Sequence, residues 1–383
     1  MRGVCFFGGF AEGYPRSEVI RKGLDALGVR VIMCRASRRH RLWRRYPVLL
    51  WRYLRTPRDH DVLFVPEFRH KDVPLAAALA KATKKICVFD PLVSRYDTRV
   101  GDRGDARAGS LQAWHNRNLD RWSMRLPDLV LADTSAHAEY YRREFAGRGS
   151  RVEVLPVGYD DSLFSPAGGN VNGEGQQTVL FFGNYLPLHG VDTIVAAAAM
   201  LSGVRSIRFD LVGDGQTFPG VERFVRERNL TNVRLSPRIP MAALPARIAS
   251  ATVCLGIFGS TDKARRVVPN KVYQCMGMGK AVVTERSAAV EEFFRDGQDI
   301  VMVPPADPAA LAEAVRSLCR NPPIRANIGA NALAVATRSF TSRRIAERFL
   351  VVCESVVGER RGRRHGTGGT ERKDGGGPQG CGC

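Results

Sequence analysis

No run of about eighteen apolar residues occurs in the chain, so nothing in it reads as a membrane-crossing helix. The opening residues, MRGVCFFGGF, do not divide into the basic, apolar and small-residue regions of a secretory leader, and a cytoplasmic protein is expected. Nine cysteines are scattered without metal-ligand spacing until Cys381 and Cys383; the expectation is buried thiols in a reducing compartment and no bound metal. No segment repeats at the period of a solenoid. The first strand is not followed by G-x-G-x-x-G and the second does not end in an acid, which argues against a nicotinamide cofactor. Acid itself is scarce. Lys and Arg number 58 against 38 Asp and Glu, and a net charge of +20 asks for an anionic partner: nucleic acid, acidic lipid or a phosphorylated substrate. A nucleic-acid reading motif is missing, so no specific nucleic acid is expected.

What is present suits two α/β domains: 383 residues, 44% of them hydrophobic, are enough for two cores. Residues 4–7 read as a buried strand leading to Gly8, Gly9 and Phe10, where two glycines let a ligand approach the backbone at the mouth of a doubly wound sheet. Residues 35–58 hold nine arginines and no acid. Helical spacing sets Trp43, Tyr46, Leu50 and Leu54 near one face, with Arg41, Arg44, Arg45, Arg52 and Arg55 around its sides. Such a face suits an anionic membrane surface, the other reading being a core helix whose arginines snorkel. The strand 86–89 delivers Asp90 to its end, and the loop DPLVSRYDTRVGDR that follows carries Asp97 and Asp102. Polar groups beyond the end of a strand stand where open α/β sheets place ligands, so Asp97 reads either as a ligand-facing group or as a loop cap. Residues 114–126 read as a helix burying Leu119, Trp122 and Leu126; Ser135 or a neighbour caps the next helix, whose His137 reads as structural.

The stretch from Cys254 to Thr284, CLGIFGSTDKARRVVPNKVYQCMGMGKAVVT, reads as strand, loop, helix and strand. Between 263 and 284 it holds Lys263, Arg265, Arg266, Lys271 and Lys280 and no acid, and Asn270 is the expected N-cap. A helix N-terminus among cations favours a multi-oxygen anion, of which a diphosphate is the natural case; the bland alternative is a solvated basic loop.

Here the sequence resembles a known family. Pro269, Asn270, Lys271 and Gly279 match the pattern P-N-K-[LV]-[YF]-E-x-[ML]-A-x-G-K-P of the family-four, group 1 glycosyltransferases, two-domain enzymes of the GT-B fold that use nucleotide sugars. Many members carry two glutamates, separated by seven residues, that hold the donor's sugar and ribose; Arg266 and Gln274 occupy those positions here. Gln274 retains hydrogen bonding to ribose hydroxyls, whereas Arg266 suits a phosphate. The loop Gly183-Asn184-Tyr185-Leu186-Pro187-Leu188-His189-Gly190 stands where the family reads G-R-x-x-x-x-K-G, so Asn184 and His189 replace the diphosphate-binding Arg and Lys. The resemblance to a subgroup with both altered loops implies that Lys263, Arg265, Arg266 and Lys271 supply the missing charge. His189 is then either a donor to a phosphate or sugar hydroxyl or a helix cap. Gly213-Asp214-Gly215 resembles the V-G-x-G turn, Arg238 and Ile239 lie at the turn that holds the base in relatives, and Glu292 aligns with an acid before Asp296-Gly297. An F-D-x-x-x-S-x-Y-D-T segment implies that Asp90, Ser94 and Asp97 stand near the acceptor, on the side of Gly8, Gly9 and Phe10.

The expected architecture is therefore GT-B: an acceptor-side domain over 1–165, a linker over 166–177, a nucleotide-sugar domain over 178–340, a helix over 341–358 returning to the first domain, and a disordered tail over 359–383. The implied reaction moves a sugar from a nucleoside diphosphate sugar to a glycan or lipid-linked acceptor, with retention and without a bound metal or cofactor. Cations and helix N–H groups stabilise the departing diphosphate. Two other classes fit the same residues: an inactive relative that binds nucleotide sugar or glycan, and a basic polyanion-binding protein.

Overall fold

The computed structural model describes residues 1–147, 150–166 and 175–366. Two six-stranded parallel sheets dominate it. The first is built from β1 (Gly3–Gly8), β2 (Arg30–Arg35), β3 (Val62–Val65), β4 (Ile86–Phe89), β5 (Leu129–Ala132) and β6 (Val152–Val154), in the order β2-β1-β3-β4-β5-β6. Four of these strands, GVCFFG, VLFV, ICVF and LVLA, are buried at every position, which is why they read as unbroken apolar runs. The second sheet comprises β7 (Gln177–Asn184), β8 (Ile207–Asp214), β9 (Val233–Ser236), β10 (Val253–Leu255), β11 (Val282–Glu285) and β12 (Val301–Val303), in the order β12-β11-β10-β7-β8-β9. In each sheet the direction of winding reverses at the first strand, at β1 and at β7. Open α/β sheets bind ligands beyond the carboxyl ends of the strands at such a reversal.

Right-handed crossovers place the helices Leu42–Leu54, Val73–Ala82, Leu111–Arg125 and Ser135–Glu144 on one face of the first sheet. The strand alternation agrees. Cys5 and Phe7 of β1 share a core with Leu49, Tyr53, Ala76, Ala80, Met124 and Ala138 from those helices, whereas Val4 and Phe6 pack against Val19, Ile20 and Leu24 of the helix Pro15–Ala26 on the other face. The helix Ser342–Gly366 also lies on that other face, returning from the second domain. Its Phe349 ring meets Phe64 edge-on at 5.4 Å, and the Met1 amino group pairs with Glu354 at 3.2 Å. Gly23 makes the approach possible: a Cβ there would sit 1.9 Å from the Ser342 carbonyl oxygen. The helix runs on to Gly366, past residue 358 where irregular chain was expected. Residues 367–383, and 167–174 of the expected linker, lie outside the described residues.

The helix Leu111–Arg125 corrects one expectation. Trp122 is 65% exposed and Leu126 40%, and the buried side carries Ala113, Asn116, Asp120, Ser123 and Met124. The reason is Asp120, which accepts hydrogen bonds from the Ser94 hydroxyl (2.7 Å) and the Arg95 and Tyr96 amides (3.0 and 2.8 Å). Anchoring that loop points Asp120 inward and turns the tryptophan face outward. The seven described cysteines are buried and free. Among the described residues no helix is long and apolar enough to cross a membrane.

Candidate active site

The two winding reversals face one another across a cleft of about 610 Å³. From the second domain it is lined by Gly183, Asn184, His189, Gly213, Arg238 and Ile239, and by Lys263, Pro269, Asn270, Lys271 and Gln274. These eleven were expected from the sequence, whereas the remaining apolar lining, among it Phe182, Val212, Met241, Leu244 and Val267, was not. The first domain contributes Tyr14, Phe68, His70, Arg95, Arg99, Arg103 and Asp133, none of which was singled out. The arginines at 95, 99 and 103 recur every four residues, the spacing of one helix face, and that was the available signal.

Lys271 sits at the base of the cleft in the first turn of the helix Asn270–Gly277. Pro269 is the N-cap and no side chain caps the helix, so Asn270 is its first residue rather than its cap. The helix N-terminus is thus left open to the cleft, with its partial positive charge. Lys271 is 5% exposed, and its buried ammonium lies 3.7 Å over the Phe181 ring and has no hydrogen-bond partner among the described residues. Burial pushes its pKa well below the usual lysine value. An unpaired buried ammonium is costly, which is the usual mark of a group held for a ligand.

His189 stands beside it, half-buried. Its Nδ1 bonds to the Asn184 carbonyl, and burial and the Lys271 charge push its pKa well below the ordinary range. The ring is therefore neutral with the proton on Nδ1, and Nε2 keeps a lone pair that accepts from a hydroxyl. Donation to a phosphate, expected from the sequence, is not what this tautomer offers.

Two expected phosphate ligands are already engaged. Arg266 donates to Asp97 at 2.8 Å and lies 4.1 Å over the Tyr140 ring. Lys263 meets Thr98 at 2.9 Å and Asp102 at 3.5 Å, and the amide of Leu188 donates to Asp102 at 3.0 Å. Both acids come from the first domain, on the six-residue π-helical turn Asp97–Asp102, so these pairs clamp the two domains together. Burial lowers the Lys263 pKa and raises that of Asp102, as a desolvated pair requires. Asp97 thus binds a cation through Oδ1, while its Oδ2 has no hydrogen-bond partner among the described residues.

The remaining expected residues lie behind or outside the cleft. Tyr185 is fully buried and donates to the Leu211 carbonyl at 3.2 Å; Gly215 packs against the Tyr185 backbone. Arg265 is exposed away from the cleft. Glu292 accepts from the Ser135 amide and hydroxyl, both at 2.7 Å, where the N-terminus of the helix Ser135–Glu144 attracts a carboxylate. Asp90 is buried against Arg16 at 2.7 Å, and Ser94 is consumed by Asp120. The Gly9 amide donates to Asp72 at 2.8 Å and its carbonyl accepts from Arg69 at 2.8 Å, while Gly8 packs against the Asp72 side chain and Phe10 joins the core. That loop shapes the first domain without lining the cleft.

Comparison with known proteins agrees with this geometry. A model of the glycosyl transferase 4-like domain matches residues 4–158, and a model of glycosyl transferases group 1 matches residues 176–321. The chain belongs to the group 1 glycosyltransferases. Among glycosyltransferase relatives, the probable glycosyltransferase WbjE of Pseudomonas aeruginosa is 28% identical over 175 residues, covering 44% of this chain and 41% of that protein. The D-inositol 3-phosphate glycosyltransferase of Thermomonospora curvata is 26% identical over 229 residues, covering 54% and 52%. The chain spans about half the length of the curated relatives it matches. The GT-B fold recurs in solved structures at low identity. Anabaena HepE in complex with UDP aligns with a TM-score of 0.69 at 15% identity, over 92% of this chain and 100% of that one. Sucrose-phosphate synthase from Thermosynechococcus elongatus aligns at 0.71 and 15%, over 94% and 100%.

Proposed function

We propose that this protein transfers a sugar from a nucleoside diphosphate sugar to a glycan or lipid-linked acceptor, with retention at the anomeric carbon and without a metal ion. The observation that carries the reading is Lys271, an unpaired buried ammonium at an uncapped helix N-terminus inside an interdomain cleft. The bond from the anomeric carbon to the diphosphate breaks, the acceptor oxygen joins that carbon from the same face, and the acceptor's proton passes to the departing diphosphate oxygen. Lys271 and the helix N–H groups meet the charge that develops on the diphosphate, with Arg95, Arg99 and Arg103 at the opposite wall. His189 Nε2 accepts from a donor sugar hydroxyl, and Gln274 hydrogen-bonds the ribose. The reaction runs in the cytoplasm, and a lipid-linked acceptor is met at the inner face of the membrane.

UDP is the first nucleotide to try, because HepE was solved with UDP and with UDP-glucose. Thermal shift against a panel of nucleoside diphosphates and their sugars, on wild type and Lys271→Met, tests the donor site. A stabilisation selective for one nucleotide and lost in the variant supports it; no nucleotide response, with polyanion binding that vanishes as salt rises, sinks it. A second reading, an inactive relative that only binds, draws on the occupation of Arg266 and Lys263 by Asp97 and Asp102. Release of nucleoside diphosphate from the donor over time excludes it.

A further inference from the structure

All four tryptophans of the chain lie on the outside of the first domain: Trp43 and Trp51 are 65% and 53% exposed, Trp114 and Trp122 are 67% and 65%. Indoles carry large apolar areas that proteins normally shelter. The two pairs sit on the helices Leu42–Leu54 and Leu111–Arg125, which flank the short alanine-rich helix Val73–Ala82 on one face of the sheet. A single 3-10 turn, His70–Asp72, ties the flanking helices together. The Tyr46 hydroxyl donates to its Lys71 carbonyl at 2.6 Å and Arg45 pairs with Asp72 at 2.7 Å, while His70 meets Asp120 at 3.2 Å from the other side. The middle helix is low and apolar outside, showing Pro74 and Ala78 with Leu75, Ala77 and Leu79 half-buried. Leu50, Leu54 and Leu111 extend the exposed apolar band on both sides.

Residues 35–58, 71–84 and 111–126 hold fifteen Lys and Arg and two acids, Asp72 and Asp120, and both acids are buried. The charge carried by these segments is almost all positive, with Arg45 buried and Arg35 and Arg117 paired to Glu12 and Glu144 outside them. Arg44 and Arg55 stack on Trp43 and Trp51 at 4.5 and 3.9 Å, placing a guanidinium beside each indole. A nucleic acid would use the cations and leave the indoles and leucines in water. An anionic bilayer uses both, with indole rings at the headgroup level and arginines on the phosphates.

We propose that this three-helix face docks on an anionic lipid bilayer. The docking does not depend on the donor site. One contact links the docking helix to the cleft wall: Arg95, which lines the cleft, donates to Asn116 on the buried side of the helix that carries Trp114 and Trp122.

The test uses the full chain and vesicles of phosphatidylcholine with and without phosphatidylglycerol, some carrying brominated acyl chains. Because every tryptophan lies on the proposed face, intrinsic fluorescence reads insertion directly. On anionic vesicles the emission of wild type shifts to the blue and is quenched by bromine. Trp43→Ser with Trp51→Ser, and separately Trp114→Ser with Trp122→Ser, each weaken vesicle binding about tenfold. The thermal shift with nucleotide is the same in both double variants as in wild type. Unquenched emission overturns the proposal, as does vesicle binding unaltered by all four substitutions. So does equally tight binding to single-stranded RNA and to vesicles with no spectral shift, which is the behaviour of a simple polycation.

Discussion

Replacing Lys271 by Met keeps the length of the side chain and removes its charge. Two opposite effects follow from one group. In the donor complex the ammonium faces a diphosphate. At roughly 4 Å and an effective dielectric of about 20 the attraction is about 4 kcal/mol, and hydrogen bonds to charged groups contribute about 1.5–3 kcal/mol net. The smaller figure is the safer one, and a loss of about 2 kcal/mol weakens nucleoside diphosphate binding about thirtyfold. In the free protein the residue is 5% exposed and its ammonium has no hydrogen-bond partner among the described residues, so removal of the charge stabilises the fold. The pH dependence has a definite sign. The folded pKa is depressed well below 10.5, so below that ordinary value the unfolded chain binds more protons than the native one and stability rises with pH towards it. Lys271→Met loses that rise and melts higher than wild type at neutral pH. A bound diphosphate favours the charged form of Lys271 and so raises its depressed pKa, which flattens the pH slope of stability in the complex relative to the free protein. Undiminished nucleotide affinity in Lys271→Met, or a lowered melting temperature with wild-type pH slope, would refute the assignment.

Asp97→Asn and Asp102→Asn together remove the carboxylates that clamp Arg266 and Lys263 across the cleft. The double variant opens, seen as a larger radius of gyration in small-angle scattering, and turnover falls; an unchanged radius would mean the pairs do not hold the domains. Glu285, at the end of β11, is buried with neither carboxyl oxygen partnered among the described residues, and burial pushes its pKa from 4.5 up to about 8. The unfolded chain gives up that proton first, so wild-type stability falls as pH rises from 4.5 to about 8. Glu285→Gln removes this loss, and urea melts at pH 5 and pH 8 show it as a smaller difference between the two conditions. Gly213→Ala places a Cβ 1.9 Å from the Gly183 carbonyl at a φ of +146°. That position costs about 3 kcal/mol or more in urea unfolding, and a cost below about 0.5 kcal/mol would show that the two strand ends can part.

Much of the fold was legible because both faces of a parallel sheet are buried. Residues 4–7, 86–89 and 129–132 carry no polar interruption, and no helix competes for segments so short. The second half of the cleft was legible through its glycines and its P-N-K turn, local features whose residues stay neighbours in space. Trp122 was misread because helical period identifies an apolar stripe without saying what it faces, and Asp120 took the inward side. Arg95, Arg99 and Arg103 were visible as a period and passed over.

By itself the sequence determined what local chemistry determines: two α/β halves, a basic loop opening a helix at 270, an acid-free arginine-rich segment near 50, and the family pattern that joins them. Only the tertiary structure decided which cations are free. Arg266 and Asp97 are 169 residues apart and Lys263 and Asp102 are 161 apart, and no period or motif links them. Closing the cleft neutralises those two cations, while Lys271, buried within the second domain, is left without a hydrogen-bond partner among the described residues. Packing inside the first domain, by choosing which helix faces turn inward, set four tryptophans on one outer surface. Contact order separates the two kinds of knowledge: patterns read along the chain report on neighbours in sequence, while charge neutralisation and exposure are settled by residues that only folding brings together.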